Sequence, residues 1–148
     1  MRPRGTEKLS AQVVAAAREA GSAASASGTV MLVIDDDPAV CDLMQRVCGA
    51  EGYRVLTARG GEDGLRLARA ERPDIVILDV IMPGMDGWEV LRALKADKEL
   101  AQTPVIMVTI ADERERGLSL GAADYLIKPV DRERLAAALA AYRPGRVA

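Results

Sequence analysis

Five residues carry groups suited to holding a hard cation and accepting a phosphoryl group: Asp35, Asp36, Asp79, Thr109 and Lys128. Each stands at the end of a short apolar run or just past it. Residues 29–34 run into Asp35-Asp36-Asp37-Pro38, residues 75–78 into Asp79, residues 105–108 into Thr109, and residues 124–127 into Lys128-Pro129. Such runs, bounded by turn formers, read as buried strands of a parallel sheet. In an open sheet of that kind the carboxyl ends share one edge, where ligands bind. Three carboxylates, a hydroxyl and an ammonium would then meet in one crevice. Carboxylates that close repel, and some are driven neutral unless a cation joins them. Oxygen donors with room for water suit Mg²⁺, which takes one or two protein carboxylates and keeps several waters. Asp36 and Asp79 are the expected direct ligands, the Ile81 backbone carbonyl a third, and Asp35 acts mainly through the metal's water shell. A carboxylate beside a metal can also form an aspartyl-phosphate. The transferred group then needs its oxygens neutralised, mostly by electrostatics and positioning. Mg²⁺ would hold one oxygen, Lys128 a second and the Thr109 hydroxyl a third. The plainer alternative makes Asp79 and the Asp35-Asp36 pair mere turn or helix caps, but Asp37 before Pro38 already fills the capping position.

Composition narrows the chemistry further. The chain has 148 residues, a net charge of -2 and no histidine. It cannot carry a Ser-His-Asp triad or a histidine metal site, and it cannot supply its own phosphohistidine. The charge argues against general nucleic-acid binding. No apolar run is long enough to span a bilayer, and Met1 to Ser10 lack the apolar core of a secretory signal, so a cytoplasmic protein with no membrane partner is expected. Cys41 and Cys48 fall on one expected helix and read as small core or surface thiols. A nucleotide cradle is not supported, because no G-x-G-x-x-G follows the first strand and no G-x-x-x-x-G-K-[ST] occurs.

The elements that must position these groups alternate. Residues 1–28 form an extension: a thin apolar stripe of Leu9, Val13, Ala16 and Ala20 predicts a helix, either a connector or a dimer-forming element, and an Ala/Ser-rich linker follows. The main domain is placed at 29–143 and a tail at 144–148. After the first strand, Pro38 opens a helix whose apolar face is read as Val40, Leu43, Met44 and Val47, with a stop near Gly49 and Gly52. Residues 53–58 form the second strand, 60–64 a turn, and 65–71 a short helix. The third strand, 74–79, leads through the Gly87 turn to a helix marked by Trp88, Val90, Leu91 and Leu94. The fourth strand, 105–109, precedes a charged helix over 112–120. The fifth, 124–128, precedes a helix capped by Asp131, with a stripe of Leu135, Leu139 and Tyr142. Five β-α repeats with short connections imply an α/β fold, a doubly wound parallel sheet with helices on both faces.

The stretches 32–37 (LVIDDD), 77–87 (ILDVIMPGMDG), Val108-Thr109 and 121–129 (GAADYLIKP) resemble the receiver domain of bacterial two-component response regulators, over about Thr29 to Tyr142. The resemblance implies a flavodoxin-like fold with strand order 2-1-3-4-5. It makes Asp79 the phosphoacceptor, Asp35 and Asp36 the acidic pair, Lys128 the site lysine, Thr109 the switch hydroxyl and Tyr125 the switch aromatic. The Lys128-Pro129 bond is expected to be cis. The implied partner is a histidine kinase or histidine phosphotransfer protein, with a homodimer through the fourth-helix, fifth-strand and fifth-helix face left open. The domain would catalyse only its own phosphorylation and dephosphorylation. A phosphatase would need a substrate-covering cap, for which no insertion is long enough, and a vestigial docking module sits badly with the intact site residues. Three departures stand out. Ile110 replaces the family's usual Ala after the switch hydroxyl, and Ile81 its usual polar residue. The segment from Thr109 to Tyr125 is shorter by roughly one helical turn. That shortening is similar to receivers joined to large sensor kinases.

Overall fold

The computed structural model describes residues 29–142, so the expected N-terminal helix, its linker and the 144–148 tail lie outside the described residues. The elements are β1 (Val30–Ile34), α1 (Pro38–Ala50), β2 (Arg54–Ala58), α2 (Gly61–Glu71), β3 (Ile75–Leu78), α3 (Gly87–Ala96), β4 (Val105–Thr109), α4 (Arg114–Ser119), β5 (Asp124–Ile127) and α5 (Arg132–Tyr142). All strand pairs are parallel and the order is β2-β1-β3-β4-β5, as expected for a flavodoxin-like sheet.

Side chains of alternate strand residues point to opposite faces, and the core divides accordingly. Leu32, Ile34, Leu56, Val76, Leu78 and Met107 pack with residues of α2 and α3. Met31, Val33, Val55, Ile75, Ile77, Ile106 and Val108 pack with residues of α1 and α5. The strands read as continuous apolar runs because both faces are covered.

The structure corrects three details of the sequence reading. The buried residues of α1 are Cys41, Met44 and Cys48, while Leu43 is exposed and Val40 and Val47 are half-buried. Residues 41, 44 and 48 fall at i, i+3 and i+7, a complete helical stripe, and both thiols are core groups. The 60–64 turn is instead the start of α2, whose Gly64 packs so closely on Ile34 that a Cβ there would lie 2.5 Å from Cδ1. Close approach to β1, not chain reversal, accounts for that glycine. The charged helix is also shorter than expected, with six residues in α4.

Two helix starts set the geometry around the site. Asp37 is extended at the N-cap of α1 and accepts a hydrogen bond from Ala39 N–H at 2.9 Å. Asp86 and Glu89 form a reciprocal capping box on α3: Glu89 N–H donates to Asp86 at 3.0 Å and Asp86 N–H to Glu89 at 3.2 Å. That box fixes where the loop after Asp79 re-enters a helix.

Candidate functional site

The carboxyl ends of β1, β3, β4 and β5 deliver the predicted groups to one edge. Asp35 and Asp79 are buried, at 2% and 5% exposure, and Asp36 is half-buried. One carboxylate oxygen from each lies within 4.8 Å of the other two. The Lys128 ammonium donates to Asp35 Oδ2 at 2.9 Å and to Asp79 Oδ2 at 3.4 Å. Asp35 Oδ1 accepts from Asp37 N–H at 2.9 Å, and Asp79 Oδ1 from Ile81 N–H at 3.3 Å. Each buried carboxylate is thus tied on one oxygen by backbone and on the other by lysine.

Electrostatics follows from that packing. Burial pushes the Asp35 carboxyl above its ordinary value, and the negative charge of Asp79 adds to the rise. The Asp37 N–H and Lys128 oppose it without cancelling it. Burial alone would lower the Lys128 ammonium, but the hydrogen bond to Asp35 and the charges of Asp35 and Asp79 outweigh it, and its pKa is raised. One ammonium facing three carboxylates leaves excess negative charge. A hard divalent cation with oxygen ligands matches this donor set, whereas a softer metal would favour thiolate or imidazole. The nearby Cys41 thiol is turned away, donating to the Asp35 backbone carbonyl at 3.4 Å.

Thr109, the last residue of β4, is fully buried, and its hydroxyl accepts from Ala111 N–H at 3.3 Å. It stands one strand from β3, and its carbonyl accepts from Lys128 N–H at 2.8 Å. Tyr125 lies inside the fold with no exposed surface. Its hydroxyl donates to the Ala111 carbonyl at 2.5 Å and accepts from Glu113 N–H at 3.3 Å. The Lys128-Pro129 bond is cis, as expected. Ile81 and Ile110 are 51% and 66% exposed.

Sequence reasoning missed three relationships around this site. A Cβ on Gly87 would lie 2.2 Å from the Asp79 carbonyl oxygen, so the loop carrying Asp79 closes only over glycine. The D-x-x-E spacing of Asp86 and Glu89 was the available signal for the capping box. The third feature, an Arg116 guanidinium 4.3 Å from the Trp88 ring centroid, has no local sequence signature, because it joins two different helices.

Known proteins resemble this chain in sequence and fold. The response regulator receiver domain family matches residues 31–140. The Pseudomonas aeruginosa protein PilH is 42% identical over 108 residues, which cover 71% of this chain and 89% of PilH. The transcriptional regulatory protein AfsQ1 of Streptomyces coelicolor is 42% identical over 103 residues, 68% of this chain but 44% of AfsQ1, so this chain spans under half of that relative. Among solved structures, chemotaxis protein CheY4 of Vibrio cholerae superposes with a TM-score of 0.72 at 31% identity, covering 77% of this chain and 98% of CheY4. The receiver domain of the sensor histidine kinase PA1611 from Pseudomonas aeruginosa gives a TM-score of 0.71 at 28% identity, covering 77% and 96%, and carries a magnesium ion coordinated in its active site cleft. With this fold and a family match over most of its length, the chain belongs to the response regulator receiver domains of two-component signalling.

Proposed function

We propose that this domain is the phosphoacceptor switch of a phosphorelay, receiving on Asp79 a phosphoryl group from the phosphohistidine of a partner kinase or phosphotransfer protein. The observation that carries the proposal is the Lys128 ammonium bridging Asp35 and Asp79 beside a three-carboxylate cluster. An Asp79 carboxylate oxygen attacks phosphorus. The phosphorus–nitrogen bond breaks, and its electron pair stays on the partner's imidazole. Lys128, released from Asp79 as that charge moves outward, neutralises one phosphoryl oxygen, and Thr109 turns its hydroxyl from Ala111 toward another. Asp36, Asp79 and the Ile81 carbonyl would hold Mg²⁺, with Asp35 acting through water, and the bound ion would supply further neutralisation of the transferred group. The donor histidine lies outside these residues, which contain none. Beside Lys128, a groove of about 390 Å³ lined by Val40, Met44, Val108, Ile110, Pro129 and Val130 offers that partner an apolar seat.

Phosphorylation then biases a two-state equilibrium felt on the α4–β5–α5 face, which serves the downstream partner or a second copy. The domain acts on no separate substrate and works in the cytoplasm. Among the described residues no helix is long and apolar enough to cross a membrane.

The test uses Mg²⁺ and a small acyl phosphate as donor. One acid-stable, base-labile phosphoryl group is expected on the wild type and none on Asp79→Asn, read by intact mass. Labelling of Asp79→Asn at the wild-type level would overturn the assignment.

A further inference from the structure

The helix α4 has only six residues. A helix that short has no stability of its own in water, where isolated helices under about 12–15 residues are marginal. Its position is therefore set by what it touches. Tyr125 holds its entry, gripping Ala111 and Glu113 through one hydroxyl. Gly117 lies against the Tyr125 ring, with room for no Cβ: one would fall 2.5 Å from Cδ2. Arg114 pairs loosely with Asp124 on β5 at 3.6 Å. The remaining tie reaches a different element. Arg116 lays its guanidinium over the ring of Trp88, 4.3 Å from the centroid, while Glu113 holds the same guanidinium at 3.3 Å. Trp88 is buried and stacks on Tyr125, with ring centroids 6.4 Å apart and planes 17° from parallel. It belongs to the first turn of α3, next to Gly87, whose N–H donates to the Val80 carbonyl just past Asp79.

We propose that Arg116 and Trp88 form an autoinhibitory latch that fastens α4 to α3 and holds the Thr109–Glu113 segment in its unphosphorylated position. The proposal rests on the phosphoacceptor reading of Asp79. Turning the Thr109 side chain toward a phosphoryl oxygen pulls on the Ala111 N–H that its hydroxyl accepts, and Ala111 is the residue whose carbonyl Tyr125 holds. Movement of that segment pulls on α4 directly, because two residues separate Ala111 from Arg114. A contact made in the resting arrangement and lost in the shifted one opposes the shift by its own free energy. A partly desolvated cation–π pair corresponds to roughly a two- to tenfold effect on the equilibrium. The stack on Trp88 thus tunes how readily a phosphoryl group is accommodated on Asp79 without itself touching the carboxylate cluster.

The test reads the latch and its coupling separately. Trp88 is the only tryptophan of the chain, so its fluorescence reports the stack without any phosphodonor. Acrylamide should quench it about twofold more readily in Arg116→Ala than in the wild type, with Arg116→Lys between. Affinity for beryllium trifluoride with Mg²⁺, a mimic of the phosphoryl group, should rise two- to tenfold in Arg116→Ala and stay unchanged in Arg114→Ala, which loosens α4 from β5 instead. Unchanged quenching overturns the latch. Altered quenching with unchanged affinity, or an equal gain in Arg114→Ala, overturns its coupling to the site. A wild type that binds no beryllium trifluoride overturns the phosphoacceptor reading itself, and the quenching comparison still reports whether the stack exists.

Discussion

Gly87 backs directly onto the main chain of Asp79: a Cβ at residue 87 would lie 2.2 Å from the Asp79 carbonyl oxygen and 2.6 Å from Val80 Cα. Neither atom is a flexible side-chain end, so the backbone itself must move to admit a methyl group. Gly87→Ala should cost about 1–3 kcal/mol in stability. It should also slow acceptance of phosphoryl by one to two orders of magnitude, because small displacements of a reacting group are costly. Gly49→Ala is the contrast, since nothing lies within 4 Å of its Cβ position in α1. It should stabilise the fold by about 0.5–1 kcal/mol and leave acceptance unchanged. Thermal melts and initial labelling rates separate the two.

Asp36 and Asp37 are adjacent but do different work. Asp36 contributes to the carboxylate cluster, whereas Asp37 caps α1. Asp36→Ala should weaken Mg²⁺ binding at least tenfold with little change in stability. Asp37→Ala should cost about 1 kcal/mol of stability and leave Mg²⁺ affinity near the wild type. Calorimetric titration beside urea unfolding checks the pair, and equal effects on affinity would mean the residues are misassigned.

Lys128 and a divalent cation compete to neutralise the same carboxylates. Lys128→Met should therefore bind Mg²⁺ roughly three- to tenfold more tightly, from removal of one nearby like charge, while losing phosphoryl acceptance. A variant that binds Mg²⁺ more weakly would show that the ammonium organises the carboxylates more than it repels the metal.

Hydrolysis of the aspartyl-phosphate needs a water in line with phosphorus. Ile81 and Ile110, both exposed, offer it no hydrogen bond. Each ~1.4 kcal/mol of lost water positioning is about tenfold in rate, so a long-lived phosphoryl state is expected. Ile81→Asn should shorten it by a few-fold to tenfold. Loss of label at fixed pH and Mg²⁺ measures this, and no acceleration would place lifetime control elsewhere.

Burial pushes both Cys41 and Cys48 up to about 11 from an ordinary value of 9.0. Well below pH 9 both thiols are neutral in folded and unfolded chains alike. Between about 9 and 11 the unfolded chain releases these protons and the folded chain retains them, so stability falls through that window. Lys128, raised above 10.5, adds a loss in the same direction at higher pH. Urea midpoints should drop from pH 8.5 to 10.5, and a Cys41→Ala/Cys48→Ala variant should show a shallower drop. Both thiols should resist alkylation until the protein is denatured.

The residues at the sheet edge were legible because four of the five short strand runs end at a functional group, and the strand order followed from the resemblance to receiver domains. Where two readings of small residues compete, pattern alone failed. Cys41 and Cys48 were left between core and surface, and Leu43 was placed on the α1 stripe that they in fact form. Gly64 looked like a turn residue because its reason, the Ile34 side chain, is 30 residues away in sequence. The closeness of Gly87 to Asp79 and of Arg116 to Trp88 depends on how helices seat against the sheet, which no local spacing encodes. The reach of Tyr125 to Ala111 and Glu113 likewise arises only once β4 and β5 are paired.

The carboxylates and the ammonium are carried by strands of unequal protection. Asp35 and Asp79 follow β1 and β3, which have neighbours on both sides, whereas Lys128 follows β5 at the margin of the sheet. Marginal strands open in sub-global fluctuations that leave the centre intact. Amide hydrogen exchange should accordingly be faster in β5, as in the other marginal strand β2, than in β1 and β3. The first casualty of such an opening is the positive charge, not the acceptor. A breathing molecule keeps its clustered acids but loses the lysine that restrains them, and their mutual repulsion then favours further opening. Divalent cations would close that route, making Mg²⁺ a brake on exchange in β5 as well as a participant in chemistry.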